Sequence, residues 1–207
     1  GWETDITIAV DALVPLQALY PLVERLAELT DTRLRFRAEV LAGSWECLED
    51  GRADLLISSL NPDIMMTGIK HQPLQEEVML YVAHPDHPLH QEPEPLADDT
   101  LRRYRAIAVA DTALRKPVLT YRLLDKQPRL TVSTMGEKRD ALLAGIGVGT
   151  MPLSWIEEDI RAGRLKVISP EYRHQIQVVL AWRRDTMGKA KSWLIREIPK
   201  LFPCKGE

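Results

Sequence analysis

The sequence predicts a two-lobed α/β fold, and three observations predict it. Between Asp5 and Ser59 the apolar pattern runs strand, helix, strand, helix, strand. A second alternation of strands and helices occupies Ala106–Met151, beyond a proline-rich stretch from Pro85 to Pro95. A late strand, His174–Trp182, and a final amphipathic helix can close back onto the first set. Strands that alternate with helices are joined by right-handed crossovers into parallel sheets. The expectation is therefore two open parallel sheets, one per lobe, with ligands bound outside the carboxyl ends of the strands.

The elements follow in order. Asp5–Val10 is a short apolar strand that stops at Asp11. Leu16, Leu19, Leu22, Val23 and Leu26 have helical spacing within residues 14–29. Pro15 suits a first helical turn, whereas Pro21 should kink or split this helix. Arg33–Val40 alternates as a strand, and Ser44 can cap a helix over Trp45–Glu49. Ala53–Ser59 is nearly all apolar at its centre, the pattern of a parallel strand buried on both faces. Ile69–Leu74 and Glu77–His84 read as two further strands, Asp98–Tyr104 as a short helix and Ala106–Ala110 as a buried strand. Residues 112–128 form a loop with weak strand character. Arg129–Ser133 is a strand, Met135–Gly145 a helix and Val148–Met151 a strand. Pro152 opens a helix to about Ala162. Strands at Leu165–Ile168 and His174–Trp182 and a helix at Lys189–Leu201 complete the chain.

Composition narrows the function. Among 207 residues, 27 Lys and Arg are interspersed with 30 Asp and Glu, for a net charge of -3. A nucleic-acid-binding surface needs a basic excess or a basic face, which argues against direct DNA contact by this chain. Cys47 and Cys204 stand far apart and outside any CxxC pair, so neither a disulfide framework nor structural zinc is expected, and a reducing, cytoplasmic setting fits. No apolar run approaches the roughly 20 residues that cross a bilayer. The opening Gly-Trp-Glu-Thr-Asp-Ile drops at once into a strand, as if cut from within a longer polypeptide.

Four segments carry a family resemblance. Glu49–Ile57 (EDGRADLLI) contains a G-x-x-D-hydrophobic step before the third strand. His84–Leu89 (HPDHPL) follows a strand, Ala144–Pro152 (AGIGVGTMP) joins a helix to a strand, and Arg161–Leu165 (RAGRL) turns out of a helix. In order and spacing these segments resemble the effector-binding half of LysR-type transcriptional regulators, over essentially the full chain. The resemblance implies a periplasmic-binding-protein-like (type 2) fold: two Rossmann-like subdomains, 1–83 with 176–207 and 84–175, joined by crossover strands. It implies a winged helix-turn-helix domain absent from this chain, an effector between the lobes, and a homodimer that becomes a tetramer in the full-length regulator. The resemblance implies antiparallel side-by-side pairing, in which helix 14–29 and strand 33–40 of one copy would meet the helix near 135–146 of the other.

The resemblance places the effector at strand ends: Asp11, Ala12, Gly43, Ser44, Trp45, Ser58, Ser59 and Leu60 in the first lobe, and Asp111, Ser133, Thr134, Gly147 and Thr150 in the second. Physical chemistry supports part of this set. Ser44 and the Ser133–Thr134 pair precede helices, whose unpaired N–H groups and positive dipole ends suit a carboxylate. They equally suit plain N-caps. Asp11 would repel an acidic effector, accept from an amine or hydroxyl, or cap the helix near Val14. Trp45 would flank an apolar effector or pack in the core. Arg115 and Lys116 offer positive charge from a loop. His84 and His87 lack the Cys/His company of a metal site.

No cofactor is expected and catalysis is not indicated. GxSxG, HExxH and a strand-borne GxGxxG are absent. Gly145-x-Gly147-x-Gly149 sits at a helix end, where it reads as a C-cap and tight turn. Glu157–Asp159 reads as a solvated carboxylate run. The sequence therefore points to a small-molecule sensor acting through a DNA-binding partner domain. A solute-binding protein of a transport system is the alternative.

Overall fold

In a computed structural model of the chain, residues 1–61, 67–115, 123–185 and 187–202 are described. The chain order begins β1 (Asp5–Asp11), α1 (Pro21–Ala27), β2 (Arg33–Glu39), α2 (Ala42–Glu49), β3 (Leu55–Ser59) and β4 (Ile69–Ala83). It continues with α3 (Asp98–Leu101), β5 (Ala106–Val109), β6 (Arg129–Val132), α4 (Met135–Leu143) and β7 (Gly149–Pro152). It ends with α5 (Leu153–Arg161), β8 (Lys166–Val167), β9 (His174–Arg183) and α6 (Lys189–Glu197). By packing, one unit comprises Gly1–Glu76, Asp111–Leu119 and Gln177–Glu207, and the other Glu77–Ala110 and Thr120–Ile176. The division falls within β4 and within β9, and the segment starting at Asp111 rejoins the first unit.

In the first unit β1 is central and pairs in parallel with β2 and β3, as the strand-helix-strand order requires. The expectation of two parallel sheets, one per lobe, is corrected: β9 runs antiparallel to β3, and the order β2-β1-β3-β9-β4-β7 is a single sheet of mixed sense. Among the described residues only β5 and β6 form a separate parallel pair. Leu55, Leu56 and Ile57 are buried, as a strand covered on both faces should be. Pro21 splits the predicted helix: a 3-10 turn covers Leu16–Leu19, and α1 starts afresh with Pro21 in its first turn, where a missing N–H costs nothing. The two strands read as Ile69–Leu74 and Glu77–His84 are one, β4; at the presumed break the Gln75 carbonyl accepts from the Gln177 side chain at 2.8 Å. Trp45, Cys47 and Leu48 of α2 pack on Ala9, Leu56, Val179 and Ala181. The Glu3 carboxylate accepts the Ala190 and Lys191 N–H groups, each at 2.9 Å, and so caps α6 from a distant part of the chain.

In the second unit β4 pairs antiparallel with β7 and β8. Its alternating residues feed two cores: Leu80 and Val82 join Ile107, Leu142, Met151 and Ile156, while Tyr81 and Ala83 join Leu89, Leu101, Val148 and Ile168. β5 and β6 are parallel, and Val148 extends that pair by a bridge to Ala106. Gly145 ends α4 at φ +76°, a left-handed conformation that favours glycine, as read from the sequence. The carboxylate run on α5 is not uniformly solvated. Asp159 is buried and held by both forks of Arg139, each at 2.7 Å, which pulls its pKa below the usual carboxylate range. His84 and His87 each accept a backbone N–H two residues on, from Asp86 at 3.0 Å and from Leu89 at 3.1 Å, so both shape the turn.

Candidate functional site

The turn from β2 into α2 is densely hydrogen-bonded. Leu41 enters it at φ 51°, a left-handed conformation that a residue with a Cβ adopts only under constraint. The constraint is Asp11 at the end of β1. One of its oxygens accepts the Leu41 N–H at 2.9 Å and the hydroxyls of Ser44 at 2.9 Å and Ser58 at 3.5 Å. The other accepts the Leu13 N–H at 3.2 Å. Burial raises the pKa of Asp11, and these donors oppose the rise. Two expectations are thereby corrected. Asp11 caps no helix, since the following 3-10 turn has Pro15 at its N-cap with no side-chain bond. Ser44 is inside α2, whose N-cap is Leu41.

The α2 N-terminus already holds a carboxylate, and it is the protein's own. Asp111 accepts the Ala42 N–H at 3.1 Å, the Gly43 N–H at 3.0 Å and the Ala113 N–H at 2.8 Å. Thr112 accepts the Val40 N–H at 2.9 Å and donates to Glu39. Glu46, fully buried, accepts the N–H groups of Leu114 at 2.8 Å and Arg115 at 3.2 Å. Arg115 closes the array on Asp50 at 2.6 Å and Glu49 at 2.9 Å, holding the Asp50 pKa down. The Asp111–Arg115 segment is thus laid across the start of α2, and Gly43 is what lets it approach. A Cβ on Gly43 would stand 2.0 Å from Thr112 Oγ1 and 2.5 Å from the Thr112 carbonyl carbon. Arg115 is ion-paired; Lys116 lies outside the described residues, as does Cys204.

Trp45 is a core residue whose indole N–H donates to the Ser59 carbonyl at 3.2 Å. Ala12, Ser59 and Leu60 are half-buried. Ser44→Ala removes a donor from a buried carboxylate and leaves Leu41 less firmly held. The expected result is a loss of about 1–3 kcal/mol in the unfolding free energy, measured by denaturant titration. An unchanged midpoint and slope would deny Asp11 this role.

In the second unit Ser133 and Thr134 are exposed. Thr134 is the N-cap of α4: its hydroxyl accepts the Glu137 N–H at 3.1 Å, and Glu137 accepts from the Ser133 N–H at 3.3 Å. Gly147 and Thr150 are buried; a Cβ on Gly147 would stand 2.5 Å from Ile107 Cδ1. Thr150 faces Lys138, whose ammonium lies 3.5 Å from the Thr150 hydroxyl. Lys138 is buried, and desolvation lowers its pKa to about 8. The sequence reading missed it. The available signal was spacing: Lys138 lies four residues before Leu142, on the helical stripe that enters the core.

A family model for the LysR substrate binding domain matches residues 1–202. This chain belongs to that family. The LysR assignment has close and distant company. The probable HTH-type transcriptional regulator YhaJ of Escherichia coli K12 is 57% identical over 208 residues, covering 99% of this chain and 69% of that protein. The uncharacterized HTH-type transcriptional regulator YeeY of the same organism is 32% identical over 202 residues, 96% of this chain and 65% of its own length. The bromide-bound regulatory domain of HypT from Salmonella typhimurium superposes with a TM-score of 0.67 at 17% identity, covering 97% of both chains. Full-length LysG from Corynebacterium glutamicum with bound effector Arg does so at 0.71 and 16% identity, over 95% of this chain and 67% of that one.

The fold is therefore that of LysR regulatory domains, the type 2 periplasmic-binding-protein-like fold. The chain is the substrate-binding domain of a LysR-type transcriptional regulator and not a transport protein. LysR regulators bind small-molecule effectors. Within this LysR domain the G-x-x-D step has a structural use: Asp54 accepts the Thr7 N–H of β1 at 2.8 Å and so fixes the start of β3 against it. Among the described residues no helix is long and apolar enough to cross a membrane.

Proposed function

We propose that this domain senses a small polar or carboxylate-bearing metabolite in the cytoplasm and reports it, through a homo-oligomer, to a DNA-binding domain elsewhere in the regulator. It does so by binding alone, without chemical turnover. The family match over residues 1–202 carries this reading. In the first unit the effector-facing groups are Ala12, Ser59 and Leu60, which are half-buried. Asp11, Gly43, Ser44, Trp45 and Asp111 build the loop beside them. In the second unit the exposed Ser133 and Thr134 hydroxyls face the effector, and the buried Gly147 and Thr150 belong to the same set. The exposed apolar residues Tyr20, Val23 and Leu29 on and around α1 support pairing between copies. The effector shifts the regulator between states only by its differential affinity for them.

The test has two stages. A thermal-shift screen of metabolites on this domain is expected to return at least one ligand. That ligand is then expected to change the operator affinity of the full-length regulator. A ligand that is turned over, or one that leaves DNA binding untouched, would refute the proposal.

A further inference from the structure

The second unit holds a cavity of about 180 Å³ that none of the effector-set residues lines. Tyr81, Leu101, Leu124, Gln127 and Tyr172 wall it. Leu101 leads into β5, and Leu124 and Gln127 lead into β6, whereas Ser133 and Thr134 follow the other end of β6. One side chain keeps the walls in place. Gln127, which is buried, donates to the Leu101 and Tyr104 carbonyls, each at 3.1 Å, and accepts the Leu124 N–H at 3.2 Å. Both of its amide protons are thereby engaged in the wall. The rings of Tyr81 and Tyr172 lie 5.4 Å apart, inclined at 50°. Asp98, in the first turn of α3, also lines the cavity and is exposed. Arg102, one turn on, does not neutralise it: its guanidinium pairs with Asp99 at 2.8 Å and donates to the Asp125 carbonyl at 3.1 Å. Among the described residues no basic side chain lines the cavity.

We propose that this cavity is a second ligand site, separate from the effector set, and that it takes a small primary amine carrying one aromatic ring. Size sets the body of the ligand. An apolar cavity of about 150 Å³ admits benzene, so about 180 Å³ admits one ring and a short tail. The walls set its character: the inclined tyrosine pair offers ring faces and edges to a third ring, and Leu101 and Leu124 supply apolar contact. Asp98 sets the charge. Its carboxylate favours an ammonium group, which the tyrosine faces also attract, whereas an aromatic acid would meet a like charge and no cation.

The probes are benzylamine, the uncharged benzyl alcohol and benzoate, titrated into tyrosine-labelled domain and followed by NMR of the Tyr81 and Tyr172 rings. Benzylamine is expected to shift both rings with a Kd of about 1 mM or below, an affinity within reach of a ligand of this size. Benzyl alcohol should bind more weakly, and benzoate should leave both rings unmoved. Asp98→Asn should weaken benzylamine by about three- to fivefold, the factor of a solvent-exposed ion pair, and leave benzyl alcohol unchanged. Tyr172→Leu should weaken both by about three- to tenfold, the factor of a lost aromatic pair. Asp98 is exposed, so its variant is expected to melt with the parent, and the ranking of the three probes on the parent tests the site without any variant. The proposal is overturned if benzylamine moves neither ring at about ten times that concentration. Equal shifts with benzoate, or an Asp98→Asn domain that keeps the full preference for benzylamine over benzyl alcohol, would overturn it as well.

Discussion

Gly43→Ala is expected to lower the melting temperature by roughly 5–15 °C, equivalent to about 2–4 kcal/mol for a domain of this size. Helix propensity predicts the opposite sign, since alanine is favoured over glycine inside a helix by about 1 kcal/mol. The close approach decides the outcome. The added Cβ would meet Thr112 Oγ1 at 2.0 Å, the Thr112 carbonyl carbon at 2.5 Å and the Ala113 nitrogen at 2.7 Å. Two of these atoms are backbone, so no rotamer change relieves the clash. The segment must lift off α2, and the Asp111 bonds to Ala42 and Gly43 go with it. Faster proteolytic cleavage between Asp111 and Arg115 should accompany the loss. Gly51→Ala is the control, because nothing lies within 4 Å of its added Cβ and only its left-handed φ is penalised. A Gly43→Ala protein that melts with the parent would show that the segment is not laid on α2 as described.

Lys138→Met is expected to stabilise the domain at pH 7. The folded-state pKa is lowered to about 8 from the ordinary 10.5. Between those values the unfolded chain binds more protons than the folded one, so the stability of the parent rises as pH climbs from about 8 to 10.5. Below the folded pKa the buried charge is carried at a cost of about 3.5 kcal/mol, the gap between about 8 and 10.5 at about 1.4 kcal/mol per pH unit. Methionine removes that cost and, with it, the rise in stability above pH 8. Denaturant titrations from pH 6 to 10.5 in carboxylate-free buffer would check both. A variant no more stable than the parent, with the same pH dependence, would place Lys138 in water.

Much of the fold was legible because it depends on local periodicity. The apolar run Leu55–Ile57 declared a strand buried on both faces, Pro21 declared a break, and Gly145 declared a helix end. The antiparallel insertion of β9 beside β3 was not legible as a direction, because pairing sense leaves no mark on either strand's own pattern. The continuity of β4 was missed because the polar Gln75 and Glu76 interrupt the apolar pattern; the Gln177 side chain that donates to the Gln75 carbonyl lies 102 residues away in sequence.

The candidate site divides the same way. Thr134 could be read as a cap because its partner Glu137 lies three residues on. Ser44 could not be read correctly, since its partner Asp11 lies 33 residues away. Taken alone, the sequence determined the element types, the family and the hydroxyl at the head of α4, all of which rest on neighbours along the chain. Only the tertiary structure decided that Asp111 fills the amide groups of α2 and that Lys138 is buried opposite Thr150. Hydrogen bonds and desolvation depend on distance in space, and these groups meet only when distant segments pack.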